Sequence, residues 1–183
     1  GLSALNKPSS ETQSESQQSD EEQQTQAGDP FGFGREDLNN SYYTVRSDYT
    51  RMKHLLAEFL SGEGPERSLF WGSHPLTKGM KNSAVVQRAK EYYAANGAGK
   101  DMVLKQFDFN PTDAPFVGSD IEQFVGSARV SIYPRDGITI YVLDNTTGRY
   151  SGGFDKVADI PRIPGQITPT GNIYQRFIWI EGN

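Results

Sequence analysis

The second half of the chain carries the clearest pattern. From Phe124 to Ile132 the even positions read Phe, Gly, Ala, Val, Ile and the odd positions between them Val, Ser, Arg, Ser. Apolar residues every second position mark a strand with one buried face. Pro134-Arg-Asp-Gly137 reads as a turn, and Ile138 to Leu143 resumes the alternation. The two runs predict an antiparallel hairpin. Ile173 to Ile180 is apolar on both faces toward its end, which suits a central strand covered on both sides. Lys105 to Phe109 reads as an edge strand, Asn145 to Gly153 and Pro161 to Thr170 as loops.

Upstream the period changes to that of helices. Met52, Leu55, Leu56, Phe59 and Leu60 fall on one stripe, predicting a helix over 48–61, capped by Ser47 or Asp48 and stopped by Gly62. A second helix is predicted over 83–96, capped by Asn82 or Ser83, with Val85, Val86, Ala89, Tyr92 and Tyr93 inward and Asn96-Gly97 at its end. Leu69, Phe70 and Trp71 between them read as core filling. Residues 42–45 read either as a short strand or as a lead into the first helix. The expected fold is α+β: two N-terminal helices packed on one face of a three- to five-stranded, mainly antiparallel sheet.

Before all this comes a different kind of sequence. Residues 6–29 hold one apolar residue, Ala27. Such a stretch buries too little surface to offset roughly 1–2 kcal/mol of backbone entropy per residue. Residues 1–30 are therefore expected to be a disordered, acidic, Ser/Gln/Glu-rich tail, and residues 31–183 a single domain, with Phe31 and Phe33 pinning the tail's end. Charge supports the division. The chain of 183 residues has a formal net charge of -5, from 18 basic and 23 acidic residues. One basic and six acidic residues lie in the tail, leaving 17 of each behind it. A neutral domain lacks the basic footprint of a nucleic-acid binder, so no nucleic acid is expected as partner.

There is no cysteine, hence no disulfide framework and no thiolate chemistry. No stretch is apolar enough to span a bilayer. The chain starts at Gly1 without a methionine and reads as a processed or engineered product. A removed export signal, a lipid anchor or a larger upstream polypeptide would leave no trace in it.

Catalytic signatures are sparse. No Gly-x-Ser-x-Gly elbow is present. His54 and His74 lack metal-ligand spacing, and each reads first as a surface or loop residue. Asp108 to Asp113 opens like a calcium loop but lacks its glycine and its terminal glutamate. No metal and no cofactor are expected. Lys78 and Lys81, just before a helix start, are the candidate anion-binding pair. Asp120, Glu122, Asp136, Asp144 and Asp155 supply carboxylates that sequence alone cannot bring within glycosidase distance. Asn145-Thr146-Thr147 matches a glycosylation acceptor. Tyr133, Tyr141, Tyr174, Phe177 and Trp179 read as core and sheet surface first, and as a stacking platform second.

A family resemblance gives context. Ile121-Glu-Gln-Phe-Val-Gly-Ser-Ala-Arg-Val-Ser-Ile-Tyr-Pro134 resembles C-terminal segments of bacterial Rhs/YD-repeat-associated proteins. Lys81-Asn-Ser with Arg88-Ala-Lys-Glu-Tyr-Tyr93, Asp144-Asn-Thr-Thr147 and Pro169-Thr-Gly-Asn-Ile-Tyr-Gln-Arg-Phe-Ile-Trp179 are similar to its other pieces, in the same order. The resemblance covers roughly residues 79–181, with gaps. The repeats themselves are absent. Rhs-type proteins are large exported or surface proteins whose C-terminal modules are often toxins, so the resemblance implies a secreted, cell-surface or periplasmic bacterial setting. It assigns no catalytic residue. The shared polar positions are Glu122, Gln123, Ser127, Asn145, Thr146, Asn172 and Gln175.

Two functions follow as expectations. The first is a secreted or surface-associated, non-enzymatic module that binds a protein or a glycan. The alternative is an Rhs-type toxin or hydrolase effector, with Glu122, His74 and Asp120 as its catalytic candidates around a shared cleft.

Overall fold

The computed structural model describes residues 39–108, 127–149 and 158–183. The chain divides into two compact units, Gly1–Val45 and Arg46–Asn183. The expected tail at 1–30, with Phe31 and Phe33, lies outside the described residues. Of the first unit, residues 39–45 are described. The Tyr43 amide closes a turn onto the Asn40 carbonyl at 2.9 Å, and strand β1 (Thr44–Val45) follows.

The second unit continues as α1 (Met52–Ser61), β2 (Arg67–Phe70), α2 (Pro75–Lys81), α3 (Ala84–Asn96), β3 (Met102–Asp108), β4 (Ser127–Arg135), β5 (Ile138–Thr147) and β6 (Ile173–Gly182). Its strands lie side by side in the order β2-β6-β5-β4-β3. The β4–β5 and β5–β6 pairs are antiparallel, as is β3–β4, while β2 runs parallel to β6.

The fold is α+β, but the expected layout is corrected in three respects. The described residues hold six strands, one more than the upper expectation, and three helices where two were expected. The first helix follows the first strand, so the helices are not N-terminal. The sheet is mixed: a parallel pair, β2–β6, joins the three antiparallel ones, because Leu69-Phe70 is part of a strand, not helix-side filling. A four-residue apolar run carries no period that separates strand from buried helix. Its partner in β6 lies about a hundred residues away, so nothing local marks the pairing. Helix α2 also escaped the reading, although Pro75 at its first position and Leu76 with Met80 one turn apart are ordinary helix-start features.

Smaller shifts have local causes. Helix α1 starts at Met52 because the amide of Arg51 is taken by Nδ1 of His54 at 3.0 Å, a side chain reaching back from the third helical position. Its buried stripe is Met52, Leu55 and Phe59, while Leu56 and Leu60 stay about half exposed. Helix α3 matches its expected start, with Ser83 Oγ accepting from the Val86 amide. Tyr92 faces solvent and Tyr93 packs partly on the core. The hairpin turn is Asp136-Gly137, and Gly137 takes φ +81°, a conformation that favours glycine.

The helices pack on one face of this sheet. Met52 and Leu55 of α1, Leu76 and Met80 of α2, and Val85, Val86 and Ala89 of α3 meet Phe70, Val130, Ile132, Tyr141, Leu143, Phe177 and Trp179. Phe70 and Phe177 stack at 4.9 Å between centroids. The opposite face is buried too: Leu69, Ile178, Val142, Ile140 and Tyr133 are all below 2 % exposed. Burial of each such side chain contributes about 1.5–3 kcal/mol. β6 is thus a central strand covered on both faces, as its sequence suggested.

Candidate functional site

Strands β5 and β6 pair without interruption from Ile138↔Gly182 to Thr147↔Ile173. On the helix side their facing residues are Tyr141–Trp179, then Leu143–Phe177, both apolar. The next row is Asn145–Gln175, and β2 extends it with Ser68 opposite Gln175. The row changes from hydrocarbon to amide without gaining exposure. Asn145, Gln175 and Ser68 are 3 %, 1 % and 3 % exposed.

Asn145 Nδ2 donates to Gln175 Oε1 at 2.6 Å, and Thr147 Oγ1 approaches the same oxygen at 3.4 Å. Asn145 Oδ1 and Gln175 Nε2 are left buried with no hydrogen-bond partner. A buried amide group without a partner costs about 1–3 kcal/mol, so two in one pair are unusual in a core. Ser68 Oγ is used elsewhere. It accepts from Arg46 Nη1 at 2.7 Å, and Arg46 grips Glu58 of α1 with both terminal nitrogens, at 3.0 and 2.6 Å.

The chain around this end of the sheet is tightly fitted. At Gly148, just past β5, a Cβ would come within 2.6 Å of both Asn172 Oδ1 and Asp159 Oδ1. Asn172 donates its amide to the Ile160 carbonyl at 2.8 Å, while its Oδ1 is buried and unpartnered. Thr170 holds φ +57°, rare for a β-branched residue, and its amide bonds the Phe59 carbonyl at 2.8 Å. Such conformations cost on the order of 1–3 kcal/mol and gather at functional sites. Arg162 gathers the end of α1, donating to the carbonyls of Glu58, Glu63 and Gly64 at 3.2, 2.9 and 2.6 Å. Arg149, two residues past β5, has a buried Nε with no partner.

Chemically the pair is a neutral hydrogen-bonding group. An amide oxygen accepts and an amide nitrogen donates, the chemistry that matches hydroxyls and carboxamides. Amides do not move protons at ordinary pH.

The polar positions singled out in the sequence are distributed as follows. Asn145 and Gln175 are brought into direct contact, and Asn172 lies one residue beyond the β5–β6 ladder. Thr146 is exposed on the other face, opposite Tyr174. Ser127 opens β4 opposite Asp108. Glu122, Asp120, Gln123 and Asp155 lie outside the described residues. The Asn145–Thr147 stretch, read as a loop, is the end of β5, and Asn145 is too buried to accept a glycan in the folded chain.

His74 is neither exposed nor in a loop. It is the N-cap of α2, 2 % exposed, with Nδ1 accepting from the Leu76 amide at 3.0 Å and Nε2 2.6 Å from the Ser47 carbonyl. Both ring nitrogens are therefore occupied by the backbone. Burial foremost, and Arg46 nearby, hold its pKa below the usual 6.5 against the Ser47 bond and Asp48, which raise it. Lys78 and Lys81 sit in the last turn of α2, where cations complement the carbonyl end of a helix. Asp144 is paired with Arg176 at 2.7 and 3.2 Å, and Asp136 occupies the hairpin turn. Of the aromatic set, Tyr133, Tyr141, Phe177 and Trp179 are buried, and the half-buried Tyr174 is covered by Arg67 at 4.1 Å.

Among the described residues no group of three or more His, Asp or Glu is placed to hold a metal ion, and no helix is long and apolar enough to cross a membrane. No family model matches the chain, and no curated protein or solved structure matches it either.

Proposed function

We propose that this chain is a non-enzymatic, secreted or surface-associated bacterial module, of the Rhs-associated kind its motifs resemble, that binds a protein or a glycan. One observation carries the reading: the buried Asn145–Gln175 pair keeps an acceptor and a donor unused at a tightly built end of the sheet, and because both residues are 3 % exposed or less, a ligand reaches them by opening that end. Two of the shared polar positions form that pair. The occupied nitrogens of His74 weigh on the same side, because a general acid or base must reach a substrate proton with a free nitrogen.

The test is to screen the purified chain on an immobilised array of bacterial polysaccharides and surface proteins. The same preparation is incubated with nucleic acid, peptidoglycan and phospholipid. Saturable binding is expected, weakened about tenfold or more by Gln175→Met, without turnover of any of the three substrates. Turnover would sink the non-enzymatic reading. Binding indifferent to Gln175→Met would sink the site.

A further inference from the structure

His74 makes two bonds that demand opposite roles of its ring. Nδ1 accepts from the Leu76 amide, so it carries no proton. The Ser47 carbonyl can only accept, so Nε2 carries one. A neutral imidazole protonated at Nε2 meets both demands, and no other state does. A second proton would set Nδ1–H against Leu76 N–H, donor against donor, within a nearly sealed site. The ring is further held by Phe70, edge-on at 4.9 Å and 75°.

The two bonds join separate parts of the unit. Ser47 lies in the segment that leads into α1, and its carbonyl also receives the Thr50 amide at 3.2 Å. Leu76 lies in the first turn of α2. The charged groups near the ring do not replace the lost acceptor. The entry segment brings Arg46 and Asp48, which act in opposite directions. Helix α1 brings Glu58, already bound by Arg46, and α2 brings Lys78, whose side chain is exposed. From the sheet the ring meets Phe70, which stacks on Phe177 and carries no charge.

We propose that His74 is an acid-sensitive latch: neutral, it pins the Ser47–Arg51 entry segment to the start of α2; protonated, it leaves its site, uncaps α2 and frees that segment before the rest of the unit unfolds. The direction follows from linkage. The folded-state value lies below the ordinary 6.5, so the unfolded or opened state takes up the proton first. The latch is fully closed above about 6.5 and weakens as pH falls from there through the folded-state value.

The experiment follows the His74 ring signals and amide exchange protection by NMR on the full chain, from about pH 7.5 to about pH 5. Protection of the Leu76 amide should fall about tenfold as His74 titrates, the scale of losing an N-cap. The Val86 amide, capped by the non-titrating Ser83 hydroxyl, should keep its protection. In His74→Asn, which supplies a cap acceptor without a titrating proton, protection at Leu76 should be the same at both ends of the range. The latch is overturned if Leu76 and Val86 lose protection together, or if the His74 signals titrate with no change at Leu76. Retained pH dependence in His74→Asn overturns it as well. The Leu76 and Val86 comparison needs only the wild-type chain, so it stands whether or not the variant folds.

Discussion

The two ends of β6 are both polar, and they are built differently. At its C-terminal end Glu181 receives Lys90 Nζ at 2.8 and 3.0 Å and Trp179 Nε1 at 2.9 Å, so the carboxylate is fully engaged. Six residues earlier Gln175 is more deeply buried, yet its nitrogen has no partner, and neither has the facing Asn145 oxygen. Between them lie the apolar rows of Trp179–Tyr141 and Phe177–Leu143. A polar group whose hydrogen-bonding capacity is met by its neighbours serves the fold. The Asn145–Gln175 pair, by contrast, keeps hydrogen-bonding capacity that the fold does not use.

The largest break in this comparison should come from the middle of the strand. Phe177→Ala removes a fully buried ring stacked on Phe70 and should cost about 3–5 kcal/mol in urea unfolding. Next, Gly62→Ala should cost about 1–3 kcal/mol. A Cβ there would lie 2.3 Å from the Thr168 backbone, and φ is +79°. That loss would show how firmly the loop near the amide pair is held. Gln175→Met strands Asn145 Nδ2 but removes the unpartnered Gln175 Nε2, so its stability should stay within about 1 kcal/mol of wild type. Adding Asn145→Leu removes every unpartnered group of the pair and should leave the double variant as stable as wild type or more so, by up to about 3 kcal/mol.

The smallest effect belongs to the satisfied end. Burial raises the Glu181 pKa, but the hydrogen bonds from Lys90 and Trp179 and the charges of Lys90 and Lys81 outweigh it and leave the carboxyl below its usual 4.5. A depressed folded-state value stabilises above the unfolded one and loses that contribution as pH falls through the folded value. Lys90→Met should therefore be less stable than wild type by about 0–1 kcal/mol above pH ~4.5, with the gap closing in acid. Thermal unfolding of both chains across that range checks it.

Much of the β architecture was legible because local pattern and long-range pairing agree. The alternation up to Ile132 and from Ile138 marks β4 and β5, and Asp136-Gly137 between them allows only a tight connection. Ile178 and Ile180 on one face, Phe177 and Trp179 about them, mark β6 as central. β2 was illegible for the converse reason: Leu69-Phe70 is too short to show a period, and its parallel partner is distant in sequence. Asn145-Thr-Thr147 was misread because asparagine and threonine before glycine have turn composition, whereas the ladder with β6 extends the strand to Thr147. Pattern alone marked neither half of the amide pair as a site. Gln175 entered through a family resemblance, Asn145 through that and a glycosylation motif, and only the register of β5 against β6 set them face to face. The same register accounts for Asp144, whose carboxylate is taken by Arg176 on the opposite face.

The most direct test of the amide pair's role uses the double variant Asn145→Leu, Gln175→Met, in which no buried amide is left stranded. Its binding to the polysaccharide and surface-protein array is measured beside the wild-type chain at equal folded concentration. A ligand bound by the wild type should lose at least about tenfold in affinity in this variant, equivalent to roughly 1.4 kcal/mol. Unchanged affinity in the folded double variant would contradict the pair's role in binding.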